Sequence, residues 1–147
     1  MPNDHKPILL KTFEIIPRDF TRAGEVSIKV QATLKSIGFN SDLVRRASIC
    51  AYESEMNVVM YGGEAILVLF ISSDRITLDV KDDGPGIEDI DLAMQEGYST
   101  ALPEYREMGF GAGMGLPNIK KNADSFKIYS EKGKGTHLSM DFHIDRK

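Results

Sequence analysis

The sequence predicts a two-layer α/β (α+β) sandwich in which a mostly antiparallel sheet is covered on one face by helices. Three observations carry that prediction. Several segments alternate apolar with polar residues at a period of two, or run apolar over a strand's length. Two longer segments repeat their apolar residues at helical spacing. The order is β, α, α, β, β, a long glycine-containing stretch, α, β, β, and it closes on a hairpin pattern rather than on βαβ units.

Taken in order, residues 8–16 (ILLKTFEII) are β-prone and stop at Pro17, which cannot continue a ladder, so they form a first strand at a sheet edge. Asp19 then offers an N-cap for a helix of about five turns, in which Ala23, Val26, Val30, Leu34 and Ile37 share one stripe until Gly38. Gly24 lies inside this helix at some cost. Ser41 is the expected cap of a second helix reaching Gly62 and Gly63, with Val44, Ala47, Ala51 and Val58 toward the core.

Residues 65–71 (AILVLFI) suit a central strand. After a turn at Asp74 and Arg75, Ile76, Leu78 and Val80 alternate with polar residues in a strand that buries one face. The stretch from Gly84 to Gly115 is polar and rich in glycine, with one short helix near 90–94. Pro117 fits the first turn of a third helix running to about Ala123. Strands at 125–130 and 136–144, joined through Gly133 and Gly135, finish the chain.

A chain of 147 residues with 41% hydrophobic residues is expected to form one domain, 1–147. The formal charge of −4, without a large basic cluster, argues against nucleic acid and anionic membrane as partners. A single cysteine, Cys50, rules out an internal disulfide and reads as inert packing in a reducing cytosol. The absence of a signal-peptide pattern and of an apolar run long enough to span a bilayer leads to the expectation of a soluble cytoplasmic protein.

Four places carry chemistry. Glu53 and Asn57 stand four apart and share one side of the second helix, which reads either as an ordinary exposed polar pair or as a carboxylate and an amide at the edge of a core. In Asp82-Asp83-Gly84-Pro85-Gly86-Ile87 the period of two puts Asp82 on the buried face, where a carboxylate requires a donor. An adenine amine is one such donor, and Gly84 and Gly86 would admit a flat base; a plain turn is the competing reading. Gly109, Gly111, Gly113 and Gly115, with Met114 and Leu116 between and beyond them, precede a helix as either a flexible loop or backbone donors for phosphate oxygens. Thr136 shares the buried face of the last strand with Leu138, Met140 and Phe142, where its hydroxyl could join Asp82 around a base. Lys132-Gly133-Lys134-Gly135-Thr136 lacks the spacing and the following helix of a Walker loop.

These four segments, in this order, resemble the motifs of the GHKL superfamily, the Bergerat ATP-binding fold of histidine-kinase catalytic domains, gyrase B, Hsp90 chaperones and MutL. Glu53 to Asn57 is similar to its N-box, Asp82 to Gly86 to its D-x-G-x-G box, Gly111 to Leu116 to its glycine lid motif, and Gly133 to Thr136 to its last glycine-threonine box. The chain most resembles the bacterial anti-sigma serine/threonine kinases. That resemblance implies ATP and Mg²⁺ as ligands, a lid at about 87–115, and phosphorylation of a serine or threonine on a STAS-domain anti-sigma antagonist, with a sigma factor as a further partner and a homodimer allowed. It implies Glu53 as general base, Asn57 as Mg²⁺ ligand and Asp82 as adenine ligand. Tyr61 departs from the pattern, standing where several members carry histidine. His5, His137 and His143 lie in a terminus and in strands, so no phosphorylatable histidine helix is expected. A non-catalytic, ATP-gated protein-binding module is the alternative to the kinase.

Overall fold

A computed structural model describes residues 7–87, 89–95 and 115–144. Five strands, β1 (Leu9–Ile15), β2 (Ala65–Ile71), β3 (Arg75–Asp82), β4 (Ser125–Glu131) and β5 (Gly135–His143), form one sheet in the order β1-β2-β3-β5-β4. Every pairing is antiparallel. Among the described residues four helices accompany it: α1 (Glu25–Ile37), α2 (Ser41–Tyr61), α3 (Ile90–Ala93) and α4 (Gly115–Asn122). The expected α+β sandwich is the observed one.

The core lies between the sheet and a layer made by α1, α2 and α4. Alternation along the strands sends Leu67, Leu69, Ile76, Leu78, Val80, Leu138, Met140 and Phe142 into it, where all are nearly or fully buried. From the helices come Val30, Leu34, Ala47, Ala51, Val58 and Ile119. The apolar run of β2 is an interior strand as expected, but it has two different faces: Leu67 and Leu69 are buried while Ile66 is 46% exposed on the side without helices. Cys50 is buried with its Sγ 3.7 Å from the Ile119 carbonyl, and that burial pushes its thiol up to about 12, so it stays protonated packing.

Two helix starts differ from the sequence reading. The first helix begins at Glu25 and not near Asp19, because the Asp19 carboxylate accepts the Arg22 N–H in a local turn and Gly24 adopts φ 99°, outside helical geometry. Its orphan N–H groups are met from another helix. The buried Glu55 carboxylate on α2 accepts from Gly24 N (3.0 Å), Val26 N (3.3 Å) and Ser27 N (3.0 Å). Ile37, expected on the buried stripe, is 47% exposed at the helix end. For α2 the cap is Asn40 rather than Ser41: its side chain accepts from Leu43 N at 2.8 Å, and Ser41 is already the first helical residue.

The end of α2 is held as firmly as the start of α1. Arg18, at φ 66°, donates its own N–H to Val59 O (2.9 Å) and its guanidinium to Val59 O (3.1 Å) and Gly62 O (3.2 Å), a cation on the carbonyl end of the helix. The far end of α4 is tied in as well, since the Arg46 guanidinium donates to Asn122 O at 2.9 Å.

Removing the Glu55 carboxylate leaves three buried N–H groups without an acceptor, so Glu55→Ala is expected to lower unfolding free energy by about 2–4 kcal/mol. Urea unfolding of the variant and the wild type measures this, and coincident midpoints would contradict the assigned cap.

Candidate functional site

The sequence-predicted residues within the described chain come together where the second half of α2, the end of β3, the start of α4 and the β4–β5 hairpin meet. Gly111, Gly113 and Met114, and most of the expected lid, fall outside the described residues.

Glu53 and Asn57 lie on the side of α2 that faces α4. Both are half-buried. A Cβ placed on Gly115, the first residue of α4, would stand 3.4 Å from Asn57 Oδ1 and 3.6 Å from Glu53 Oε1. The missing side chain therefore leaves an opening between the two. The Glu53 carboxylate is not loose: Asn118 Nδ2 donates to its Oε2 at 2.8 Å. Leu116, one residue into α4, is buried and fixes that helix against the core.

Asp82 ends β3 on its core-facing side and is half-buried, as the alternation predicts. Its Oδ1 accepts from Gly84 N (2.8 Å) and Gly63 N (3.2 Å). Backbone thus satisfies one oxygen, a donor pair not visible in the sequence, and among the described residues Oδ2 takes no hydrogen bond. Gly84 has no room for a side chain, since a Cβ would meet Gly62 C at 2.7 Å and Asp82 Oδ1 at 2.9 Å. Gly135 is constrained in another way, by φ 116° and by close approach to the Asp82 carbonyl.

Across the sheet Asp82 pairs with Thr136, and Thr136 with Ser130. Thr136 is half-buried, and its hydroxyl lies 3.0 Å from Ser130 Oγ. Ser130 Oγ also accepts the Ile87 N–H at 2.6 Å, and Gly133 N donates to Pro85 O at 2.8 Å. These bonds clamp the 83–87 loop, with Gly86 and Ile87, onto the hairpin. On α2, next to Glu53, Tyr52 has its hydroxyl pushed up, first by burial and then by the charges of Glu53 and Glu55.

Three contributors escaped the sequence reading. Ser130 and Asn118 are single polar residues in ordinary elements, and Arg18 acts on a helix end more than forty residues away. In the sequence the Gly62-Gly63 pair reads only as a helix terminus. A doubled glycine opposite a second glycine motif signals two backbones in close approach.

An i, i+4 Glu–Asn pair faces the first residue of the helix after the glycine run, and at the C-terminal end of α2 an aspartate of β3 is fixed by glycine N–H groups. Residues 50–146 match the family described as "Histidine kinase-, DNA gyrase B-, and HSP90-like ATPase", and the chain belongs to it. Among curated proteins it is 36% identical over 104 residues to the anti-sigma F factor of Thermoanaerobacter sp. (strain X514), covering 71% of this chain and 65% of that relative. It is 31% identical over 108 residues to the serine/threonine-protein kinase RsbT of Bacillus subtilis (strain 168), covering 71% of this chain and 75% of RsbT. The anti-sigma F factor of Clostridium acetobutylicum is 35% identical over 100 residues. The chain spans just under two thirds of the anti-sigma F factors that it matches.

Because Gly84 and the Gly62-Gly63 pair touch, Gly84→Ala is expected to force the two backbones apart and to cost about 1–3 kcal/mol. Thermal and denaturant unfolding report the cost, and wild-type stability would show that this corner has slack.

Proposed function

We propose that the protein is an ATP-dependent serine/threonine kinase of the anti-sigma type, which phosphorylates a serine or threonine of a STAS-domain partner in a partner-switching pathway. The observation that carries this is the convergence of Glu53 and Asn57 on the open space at Gly115. The family match and the names of the relatives support it. The proposal puts the protein in the cytoplasm; among the described residues no helix is long and apolar enough to cross a membrane.

The residues present fit Mg·ATP. Asp82 has one oxygen committed to backbone and a second for the adenine amine, Gly115 leaves space beside Asn57 that a methyl group would fill, and the amide oxygen of Asn57 is a hard donor suited to Mg²⁺. In this reading Asp82, Gly84, Gly86, Ile87 and Thr136 hold the base, while Asn57 takes the metal. Gly115 and Leu116 bring the helix start to the phosphates, together with Gly111, Gly113 and Met114 of the sequence motif. Bound Mg²⁺ would neutralise the phosphate charge that builds as the γ-phosphoryl group moves. Glu53 accepts the proton of the incoming hydroxyl.

Two experiments test the assignment. Asp82→Asn should weaken ATP binding by about tenfold or more in titration calorimetry. An amide that turns its oxygen to the Gly63 and Gly84 N–H groups must face the adenine amine with its own donor, so one hydrogen bond is lost whichever way it turns. Equal affinities would remove the adenine assignment.

For Glu53 and Asn57 the assay is transfer from radiolabelled ATP to a candidate STAS-domain protein, with nucleotide affinity measured in parallel. Glu53→Ala should leave affinity nearly intact and slow transfer by about 10²- to 10⁴-fold, whereas Asn57→Ala should weaken both. A wild-type protein that binds such a partner in an ATP-dependent way and transfers nothing would be a gated binding module instead.

A further inference from the structure

The two oxygens of the Glu53 carboxylate are used differently. Oε2 is taken by the side-chain amide of Asn118, and Oε1 points into the space beside Gly115. We propose that Asn118 is a positioning residue for phosphoryl transfer: it fixes the plane of the Glu53 carboxylate so that Oε1 is presented to the incoming hydroxyl. The proposal rests on the reading of Glu53 as the base.

Chemistry dictates which way the Asn118 amide faces. Only its NH₂ group can be turned to a carboxylate, since the carbonyl oxygen would set acceptor against acceptor. A donor to one carboxylate oxygen removes rotation about the last side-chain bond, which would otherwise leave the plane of the base undefined relative to its target.

Asn118 itself has little freedom. Its backbone carbonyl accepts from Asn122 Nδ2 at 2.8 Å, and the backbone carbonyl of Asn122 accepts from Arg46 at 2.9 Å. The next residue, Ile119, is fully buried, and Leu116 anchors the preceding turn. The chain of contacts from Arg46 through Asn122 and Asn118 to Glu53 therefore begins and ends on α2, with α4 as the rigid piece between. A base on α2 is aimed by a donor on the helix that follows the glycine run.

A bond that merely helped to fasten α4 onto α2 would change stability without acting through Glu53. The full chain separates the cases. Asn118→Leu is expected to slow phosphoryl transfer by about 10- to 100-fold, a share of what a positioned base supplies, while ATP affinity by calorimetry stays within about twofold. Combined with Glu53→Ala, it should cause no further loss, because the two residues act as one unit. If Asn118→Leu folds poorly, Asn118→Ala removes the donor without adding charge and should show the same pattern.

A second readout needs no nucleotide. The Asn118 side-chain NH₂ resonance of the free protein should move upfield in Glu53→Ala as its charged acceptor disappears. Full transfer by both Asn118 variants, an equal extra loss on top of Glu53→Ala, or an unmoved amide resonance would each overturn the proposal. Glu53→Ala transferring at the wild-type rate would instead overturn the base assignment beneath it.

Discussion

The buried carboxylate of Glu55 is the constraint around which the helical layer is arranged. It gathers three N–H groups from the start of α1, so the angle at which α1 leaves its turn is set by a side chain of α2. Successive helical residues lie about 100° apart, and Glu53, two positions away, consequently faces the opposite side and meets α4. One helix thus carries two carboxylates with separate tasks. Moving α2 to improve one contact would spoil the other, and Arg18 and Asn40 hold its two ends against such movement.

Polar closure recurs at the sheet side. Asp82 projects from the last position of β3, where a carboxylate without donors would be costly, and two glycine N–H groups meet it. That arrangement works only because Gly62, Gly63 and Gly84 let the end of α2 and the loop after β3 touch. The helix layer and the sheet are therefore joined at the site by backbone contact, where apolar packing gives way to hydrogen bonds. Ser130 extends the network by holding Ile87 and Thr136 at once.

Much of this was legible in the sequence. The strands could be read because alternation is a local signal, and Asp82 and Thr136 fall on the core-facing side for that same reason. The i, i+4 spacing of Glu53 and Asn57 placed them on one side of α2 in advance. The start of α1 was not readable, because its acceptor comes from Glu55, thirty-one residues away from Gly24, while Asp19 offered a nearer and misleading cap. Asn118 was missed for a similar reason: nothing near it in the chain shows that α4 will lie against Glu53. The acceptors and donors that complete the site are long-range, and a pattern read in short windows does not contain them.

The pairing of β3 with β5 has a consequence for the order in which the molecule comes into being. Asp82 and Thr136 are neighbours in the sheet, yet more than fifty residues separate them along the chain. A polypeptide emerging from the ribosome has made α1, α2, β2 and β3 well before the strand that pairs with the end of β3 exists. Until then the end of β3 presents an open edge, and Ser130 and Thr136 cannot fix the 83–87 loop. The corner at Asp82 is consequently closed through a contact of high sequence separation, so a nascent chain that stalls before β5 lacks it while already carrying much of its hydrophobic interior.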